Sequence, residues 1–318
     1  MILTVTPNSA LDRVIFLRDF AWGHTIRADG ALWSPGGKAI DASWVLAELG
    51  QECLATGFLA GESGAFLQRM LQSHGVRTDF VWANGETRTN YVLIDRAQGV
   101  QSTVTVSGLQ VGPEHVAALD AKVEQWLGRA KVLVLGGGVP AGVDPAWYGT
   151  WIRRARAQGL PVLLDASGET LARSAPAGPT VLKPNLDELA ALGGGGSSGT
   201  APKGTRGWAL GAARELLDWG IELVLATLGA EGALAVTRER AFYLPPLPVE
   251  PVNCAGAGDA MIAALATAYA QGWPLEQGLR LAVAAATAVV ITPGTAECHR
   301  ADVERFLPQV PLEEITDL

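Results

Sequence analysis

The sequence predicts an α/β fold built on a mainly parallel sheet, and three observations carry that expectation. Beyond about residue 107, short apolar runs such as "KVLVLGG", "PVLLDAS", "TVLKPN" and "IELVLATLG" alternate with helical stretches, which is how strands covered on both faces read. Hydrophobic residues make up 48% of the 318 and charged ones only 18%, a composition that buries a large core and excludes disorder. Two earlier segments, about 12–33 and 85–106, alternate apolar and polar residues instead. Their period of two predicts a small separate sheet covering one edge of the main body.

Taken in order, "ILTVT" is the first strand, closed by Pro7 and Asn8, and "DRVIFLRDF" is a second. "GGKAIDASWVLAELG" enters a helix through glycines, sets Ile40, Trp44, Leu46 and Leu49 on one face and stops at Gly50. "CLATGFLAG" reads as a buried strand and "SGAFLQRMLQSHGV" as a helix. "ETRTNYVLID" and "QSTVTVSG", on either side of 97–99, predict a hairpin. After "KVLVLGG" comes a helix around "AWYGTWIRRARAQG", and "LDELAAL" follows "TVLKPN". A second hairpin, "GALAVT" with "AFYLPPL", precedes two Ala-rich helices. Residues 193–207, "GGGGSSGTAPKGTRG", have little to bury and predict a mobile loop. Its Gly195-Gly196-Ser197-Ser198-Gly199 matches the serine-hydrolase elbow by accident, because no buried strand leads into the serine.

Charge and cysteine usage exclude several function classes. Twenty-four basic against 32 acidic residues leave a net charge of −8, which disfavours nucleic acid and membrane surfaces as partners. Any anionic ligand therefore needs a local cluster of cations. Cys53, Cys254 and Cys298 are odd in number and far apart, so neither a disulfide framework nor a thiolate zinc site is expected, and a reducing cytoplasm is. The start of the chain lacks a basic leader, and the longest apolar run, "LRLAVAAATAVVITPG", is too short for a bilayer. His24, His74, His115 and His299 show no metal-ligand spacing. Trp22, Trp33 and Trp82 are candidates for packing where the small sheet meets the body or a second subunit.

The stretch "PVNCAGAGDAMIAALATAYA" carries the chemistry. Gly256, Ala257 and Gly258 let the chain turn tightly into a helix, directing free backbone N–H groups and the positive end of the helix dipole at one spot. An anion fits there. Asp259, in the first turn, either caps the helix or accepts a proton from an attacking hydroxyl. Walker-type and dinucleotide glycine motifs are both missing, "GGGVPAG" from Gly136 having the wrong spacing.

The whole chain resembles the ribokinase-like carbohydrate kinases of the phosphofructokinase B branch, which includes 1-phosphofructokinase and tagatose-6-phosphate kinase. The resemblance rests on "TVTPNSALDR", "PGGKAIDASWVLAELG", "GETRTNYVLID", "PVLLDASGETL", "LKPNLDEL", "ATLGAEGAL" and "NCAGAGDAM", in the family's order. It implies a three-layer sandwich with a small β lid, formed by about 12–33 and 85–106 and inserted into a single domain made of 1–11, 34–84 and 107–318. It also implies ATP and Mg²⁺. Asp259 would be the general base, with Gly256, Ala257 and Gly258 forming the anion hole. Asn185 and Glu188 would position the metal through water and contact the nucleotide, Lys183 would add a cation near its phosphates, and Thr227 and Gly229 would line its cleft. Taken without the resemblance, Asn185 and Glu188 could equally be a helix cap.

On the substrate side, Asp12 would accept from a sugar hydroxyl, and Gly36 and Gly37 would let backbone approach the sugar. Lys38, Arg27 and Arg88 are the nearby cations; the last two match family positions that hold a substrate phosphate, a task suited to guanidinium forks. Three departures leave the sugar open. Ala39 replaces a glycine, Asp41 replaces an amide that contacts the sugar, and Gly136-Gly137-Gly138 replaces Ser-Gly-Ser. As an anion, Asp41 would accept but not donate, and would repel a phosphate. The expected activity is phosphorylation of a ketohexose phosphate, fructose 1-phosphate first. Tagatose 6-phosphate, an unphosphorylated sugar or a nucleoside are alternatives, and so is a binding protein that kept the fold without activity. A homodimer would form through the lid.

Overall fold

The computed structural model describes residues 1–193 and 205–316. The elbow-like 195–199 and most of the predicted loop at 193–207 lie outside the described residues. Residues 205–207 enter a helix, with Thr205 as its N-cap.

The apolar runs form one eleven-stranded sheet. Its order is Glu313–Glu314, Ala241–Leu244, Ala233–Val236, Leu223–Thr227, Val181–Leu182, Val162–Asp165, Val132–Gly136, Ile2–Thr6, Cys53–Leu59 and Arg77–Thr78, with Val81–Trp82 also pairing with Cys53–Leu59. From Leu223–Thr227 to Arg77–Thr78 the pairing is parallel. The three strands beyond it are antiparallel and contain the expected second hairpin. Side chains alternate between two cores: Val132 and Val134 face one, Leu133 and Leu135 the other. Helices Lys38–Glu48, Gly61–Ser73, Ala257–Gln271, Leu275–Val290 and Arg300–Phe306 cover the first face. Pro113–Leu127, Trp147–Ala157, Gly168–Ser174, Leu186–Ala191 and Arg206–Leu216 cover the second. Two buried faces explain why these strands read as unbroken apolar runs. The α/β three-layer sandwich expected from the sequence is the observed architecture.

Helix Lys38–Glu48 departs from its expected single apolar face. It is wedged between the sheet and the Ala257–Gln271 helix, so Asp41 and Ser43 are buried with Ile40, Val45 and Leu46. Trp44 and Leu49 remain half-buried. Trp44 stacks flat on His74, ring centroids 3.6 Å apart.

The period-two segments form a separate four-stranded sheet, ordered Gly30–Gly36, Ala10–Leu17, Arg88–Asp95 and Val100–Val104. Val14, Phe16, Val92 and Ile94 make its small core, with Leu32 against them. Trp33 meets Phe66 of the body edge-on at 6.0 Å, while Trp22 is 88% exposed. Residue pairing places Asp12 opposite both Ser34 and Asn90, which carries one carboxylate from this sheet toward the body.

Candidate active site

Helix Ala257–Gln271 begins at Gly256, whose φ of 87° is left-handed. A Cβ at that position would overlap Ala296, so glycine is required both by conformation and by space. Ala296 is itself the single non-glycine residue with positive φ among the described residues, at 51°; its N–H donates to Ala255 O at 3.0 Å. Asn253 Oδ1 accepts from Ala255 N at 2.9 Å and its Nδ2 donates to Pro293 O at 2.9 Å, pinning the turn. Ala257 N–H makes a long bond of 3.4 Å to Cys254 O. The N–H groups of Gly258 and Asp259 have no acceptor among the described residues, the condition for an anion site at a helix start.

Asp259 is half-buried and accepts no hydrogen bond among the described residues. A capping role would show a bond to its own first turn, and none forms. Its enclosure, followed by the charge of Asp165, pushes its carboxyl up to about 7; Lys183 and Lys38 pull the other way. A carboxylate tuned to neutrality and free of partners is suited to taking up a proton.

Below it lies a chain of alternating charges. Asp165, at the end of Val162–Asp165, takes Lys38 Nζ on Oδ1 at 2.6 Å and Lys183 Nζ near Oδ2 at 2.9 Å. Burial opposes its charge, but the two lysines hold Asp165 below the usual carboxylate range. Lys38 also donates to Glu188 Oε1 at 3.0 Å. Burial disfavours the Lys38 ammonium, yet Asp165, Glu188 and Asp259 together hold it above the ordinary lysine range. Asn185 and Glu188 form a reciprocal cap: Asn185 Oδ1 accepts from Glu188 N at 2.8 Å, and Glu188 Oε2 from Asn185 N at 3.0 Å. The pair therefore does cap a helix, and the same geometry turns Glu188 toward the charge chain. Thr227 ends strand Leu223–Thr227 beside Asn185. Gly229 follows with φ 63° and open space where a Cβ would stand. Asp165, Lys183 and Thr227 sit at the carboxyl ends of parallel strands, where open α/β sheets bind ligands.

The smaller sheet supplies the opposite wall. Asp12, 6% exposed, accepts from Asn90 Nδ2 at 2.8 Å and from Thr295 Oγ1 at 3.0 Å. Burial lifts its carboxyl to about 6 against these bonds and the nearby Arg88 charge. A Cβ on Gly36 would overlap Asp12 Oδ1, and Gly37, with φ 108°, starts helix Lys38–Glu48. Arg88 is half-buried; its Nη2 reaches Asn8 O at 3.4 Å, while its Nε is buried without a partner. Arg27 lies exposed between strands Ala10–Leu17 and Gly30–Gly36. It makes no hydrogen bond or ion pair among the described residues, so contacts do not join it to this cluster.

Two of the sequence departures acquire physical reasons. A Cβ at Gly136 would overlap the backbone of Ala39, so a serine has no room with that helix in place. Asp41 is 4% exposed with Oδ1 unpartnered. Burial, then the charges of Asp259 and Asp12, push its carboxyl well above the usual range, outweighing a backbone hydrogen bond from Gly37. The anion expected at 41 is thus a carboxyl that its burial and its acidic neighbours push toward the protonated form.

Sequence reasoning missed Asp165, Asn90, Thr295, Asn253 and Thr6. Asp165 stood within "PVLLDASGETL", but its two lysines come from distant elements. Thr6 Oγ1 and Asn90 Oδ1 join Asp41 Oδ1 and Arg88 Nε as buried polar atoms without partners among the described residues, a set that water or a polyhydroxylated ligand would satisfy.

Comparisons with known proteins agree with this geometry. The pfkB family carbohydrate kinase model matches residues 12–302. A 1-phosphofructokinase of Haloferax volcanii is 36% identical, over 99% of this chain and 98% of the relative. An ATP-dependent 6-phosphofructokinase isozyme 2 of Mycobacterium tuberculosis is 31% identical, over 96% and 88%. The crystal structure of phosphofructokinase-2 from Escherichia coli, in complex with substrates and products, superposes with a TM-score of 0.86 at 27% identity, covering 97% of this chain and 99% of that one. With its helix-mouth glycines, its free Asp259 and a family match spanning nearly its whole length, the chain belongs to the pfkB family of carbohydrate kinases.

Proposed function

We propose that this protein is an ATP-dependent 1-phosphofructokinase, moving the terminal phosphoryl group of ATP onto the free primary hydroxyl of fructose 1-phosphate and releasing fructose 1,6-bisphosphate and ADP. The observation that carries the reading is Asp259: among the described residues, a carboxylate without hydrogen-bond partners beside free amides of its own helix, which feels the charges of Asp165, Lys183, Lys38 and Asp12. Asp12 and Asn90 hold the sugar's hydroxyls, Asp259 takes the proton from the attacking one, and the Gly258 and Asp259 amides with Lys183 receive the negative charge of the group in transfer.

The residues present fit a nucleotide and a water-held cation. Glu188 keeps free lone pairs beyond its two bonds, Asn185 is exposed, and the described residues contain no cluster of three or more acids, histidines or cysteines that would cage a metal directly. When bound, Mg²⁺ neutralises charge on the ATP phosphates and ATP supplies the phosphoryl group. Thr227 and Gly229 border the nucleotide. The four-stranded sheet serves as the lid over this cleft.

The buried, unpartnered Nε of Arg88 supports a substrate that already bears a phosphate, over a free sugar or nucleoside. Tagatose 6-phosphate is the rival on the same site. The exposed Trp33, Tyr91 and Val104 of the lid support a homodimer through that sheet, and the free cysteines support a reducing, cytoplasmic setting. A coupled ADP-release assay over fructose 1-phosphate, tagatose 6-phosphate, fructose 6-phosphate, fructose and ribose tests the assignment. The highest kcat/KM with fructose 1-phosphate is expected, and no ADP release with any of the five would remove it.

A further inference from the structure

Both lysines near the cleft are committed: Lys38 to Asp165 and Glu188, Lys183 to Asp165. Among the described residues, Asp41 therefore has no counter-ion. Its helix brings it among carboxylates from other elements, Asp12 on strand Ala10–Leu17, Asp259 on helix Ala257–Gln271 and Asp165 on strand Val162–Asp165, and it is 4% exposed. Among the described residues, Arg88 is the other cation on this side, and its charge is felt by Asp12. A buried carboxyl facing like charges without a cation keeps its proton.

The cleft also needs that proton. Asp12 and Asp259 offer only acceptor oxygens in their ionised forms, and the unpartnered atom of Asn90 is Oδ1, another acceptor. Sugar hydroxyls would find acceptors for their own protons there and few donors for their lone pairs. Thr6 Oγ1 and Arg88 Nε are two. We propose that Asp41 is held as a neutral carboxylic acid whose O–H donates to an oxygen of the bound sugar, so that loss of this proton weakens sugar binding rather than the chemical step. This inference rests on the cleft holding a sugar, as argued above. It gives the chain an affinity for its sugar that declines with rising pH. The residue makes this possible because, unlike an amide, it can lose the donor.

The experiment compares wild type, Asp41→Asn and Asp41→Ala, with fructose 1-phosphate and MgATP, between about pH 6 and about pH 9. Wild-type KM for the sugar phosphate is expected to rise at least ~10-fold toward the alkaline end, the scale of one lost hydrogen bond to a buried partner. Asp41→Asn, whose amide donates at every pH, should show no such rise and bind more tightly than wild type at the alkaline end. Asp41→Ala should raise KM at every pH. Substrate-phosphate ionisation is common to all three proteins and cancels in the comparison. Parallel KM profiles for wild type and Asp41→Asn would overturn the proposal. A second readout needs no turnover: the infrared difference spectrum of wild type minus Asp41→Asn at neutral pH should contain a protonated-carboxyl C=O band. An ionised-carboxylate band in its place refutes the inference even if the enzyme is active. Absence of wild-type activity on every sugar phosphate would instead defeat the assigned function, leaving the infrared result to decide the protonation.

Discussion

Lys183 sets its ammonium 2.9 Å from the point where Gly258 would carry a Cβ. The second glycine of the helix mouth thus makes room for a cation, and the free amides and the lysine converge on one spot. Gly258→Ala should displace the lysine tip, lower kcat by at least ~10-fold and leave the protein folded, because the clashing atoms belong to the end of a flexible side chain. Circular dichroism together with ADP-release rates separates these outcomes.

Replacing Asp259 by Asn removes the proton acceptor while keeping shape. Turnover should fall by at least ~10², the lower range for a positioned base, with KM for ATP within a few-fold of wild type. Near-normal kcat would show that another group takes the proton.

The acid–base behaviour of the same residue has a definite sign. Asp259's carboxyl stands at about 7 in the folded protein against an ordinary 3.8. The ionised form is the active one, so kcat should rise with pH through about 7 and then level. For stability the linkage runs the other way. A raised carboxylate contributes stability below its unfolded value and loses it as pH climbs through the folded one. Asp259→Asn should therefore melt higher than wild type at about pH 8, with the gap closing toward about pH 4. Differential scanning calorimetry across that range is the check.

Arg88→Ala should raise KM for fructose 1-phosphate ~10- to 100-fold, the range for bonds to a charged group, and change KM for fructose little. Equal effects on both sugars would mean that Arg88 serves the lid's structure and not a substrate phosphate.

Gly36→Ala should drive Asp12 from its place, since the added methyl overlaps Oδ1. A loss of about 1–3 kcal/mol in stability and a KM for the sugar at least ~10-fold higher are expected, read by denaturant unfolding and initial rates.

Much of this molecule was legible before folding. The central strands announced themselves as apolar runs because both their faces are covered, and strand Arg88–Asp95 showed its period because one of its faces is the less buried, whereas Val100–Val104 is exposed throughout. The Asp259 turn was visible because glycine, alanine and glycine leave the chain few other uses. Charge partnership was not legible. Asp165 sits 127 residues from Lys38 in the chain, and Thr295 reaches Asp12 across 283; nothing local marks such pairs. Asp41 shows a further limit, since burial among other acids, which the sequence does not announce, pushes its carboxyl up from the range it has in water. Trp44 does pack against the same core as Ile40 and Leu46, as expected, but stays half-buried.

Gln101, on the outer strand of the small sheet, accepts through Oε1 the N–H of Cys254 at 3.1 Å, linking residues 153 apart just ahead of the Gly256 turn. This tether joins roof to floor through one neutral contact worth about 1 kcal/mol net. A contact so slight leaves the two parts joined here by a single neutral bond, which registers the outer strand against the backbone segment that leads into the Gly256 turn.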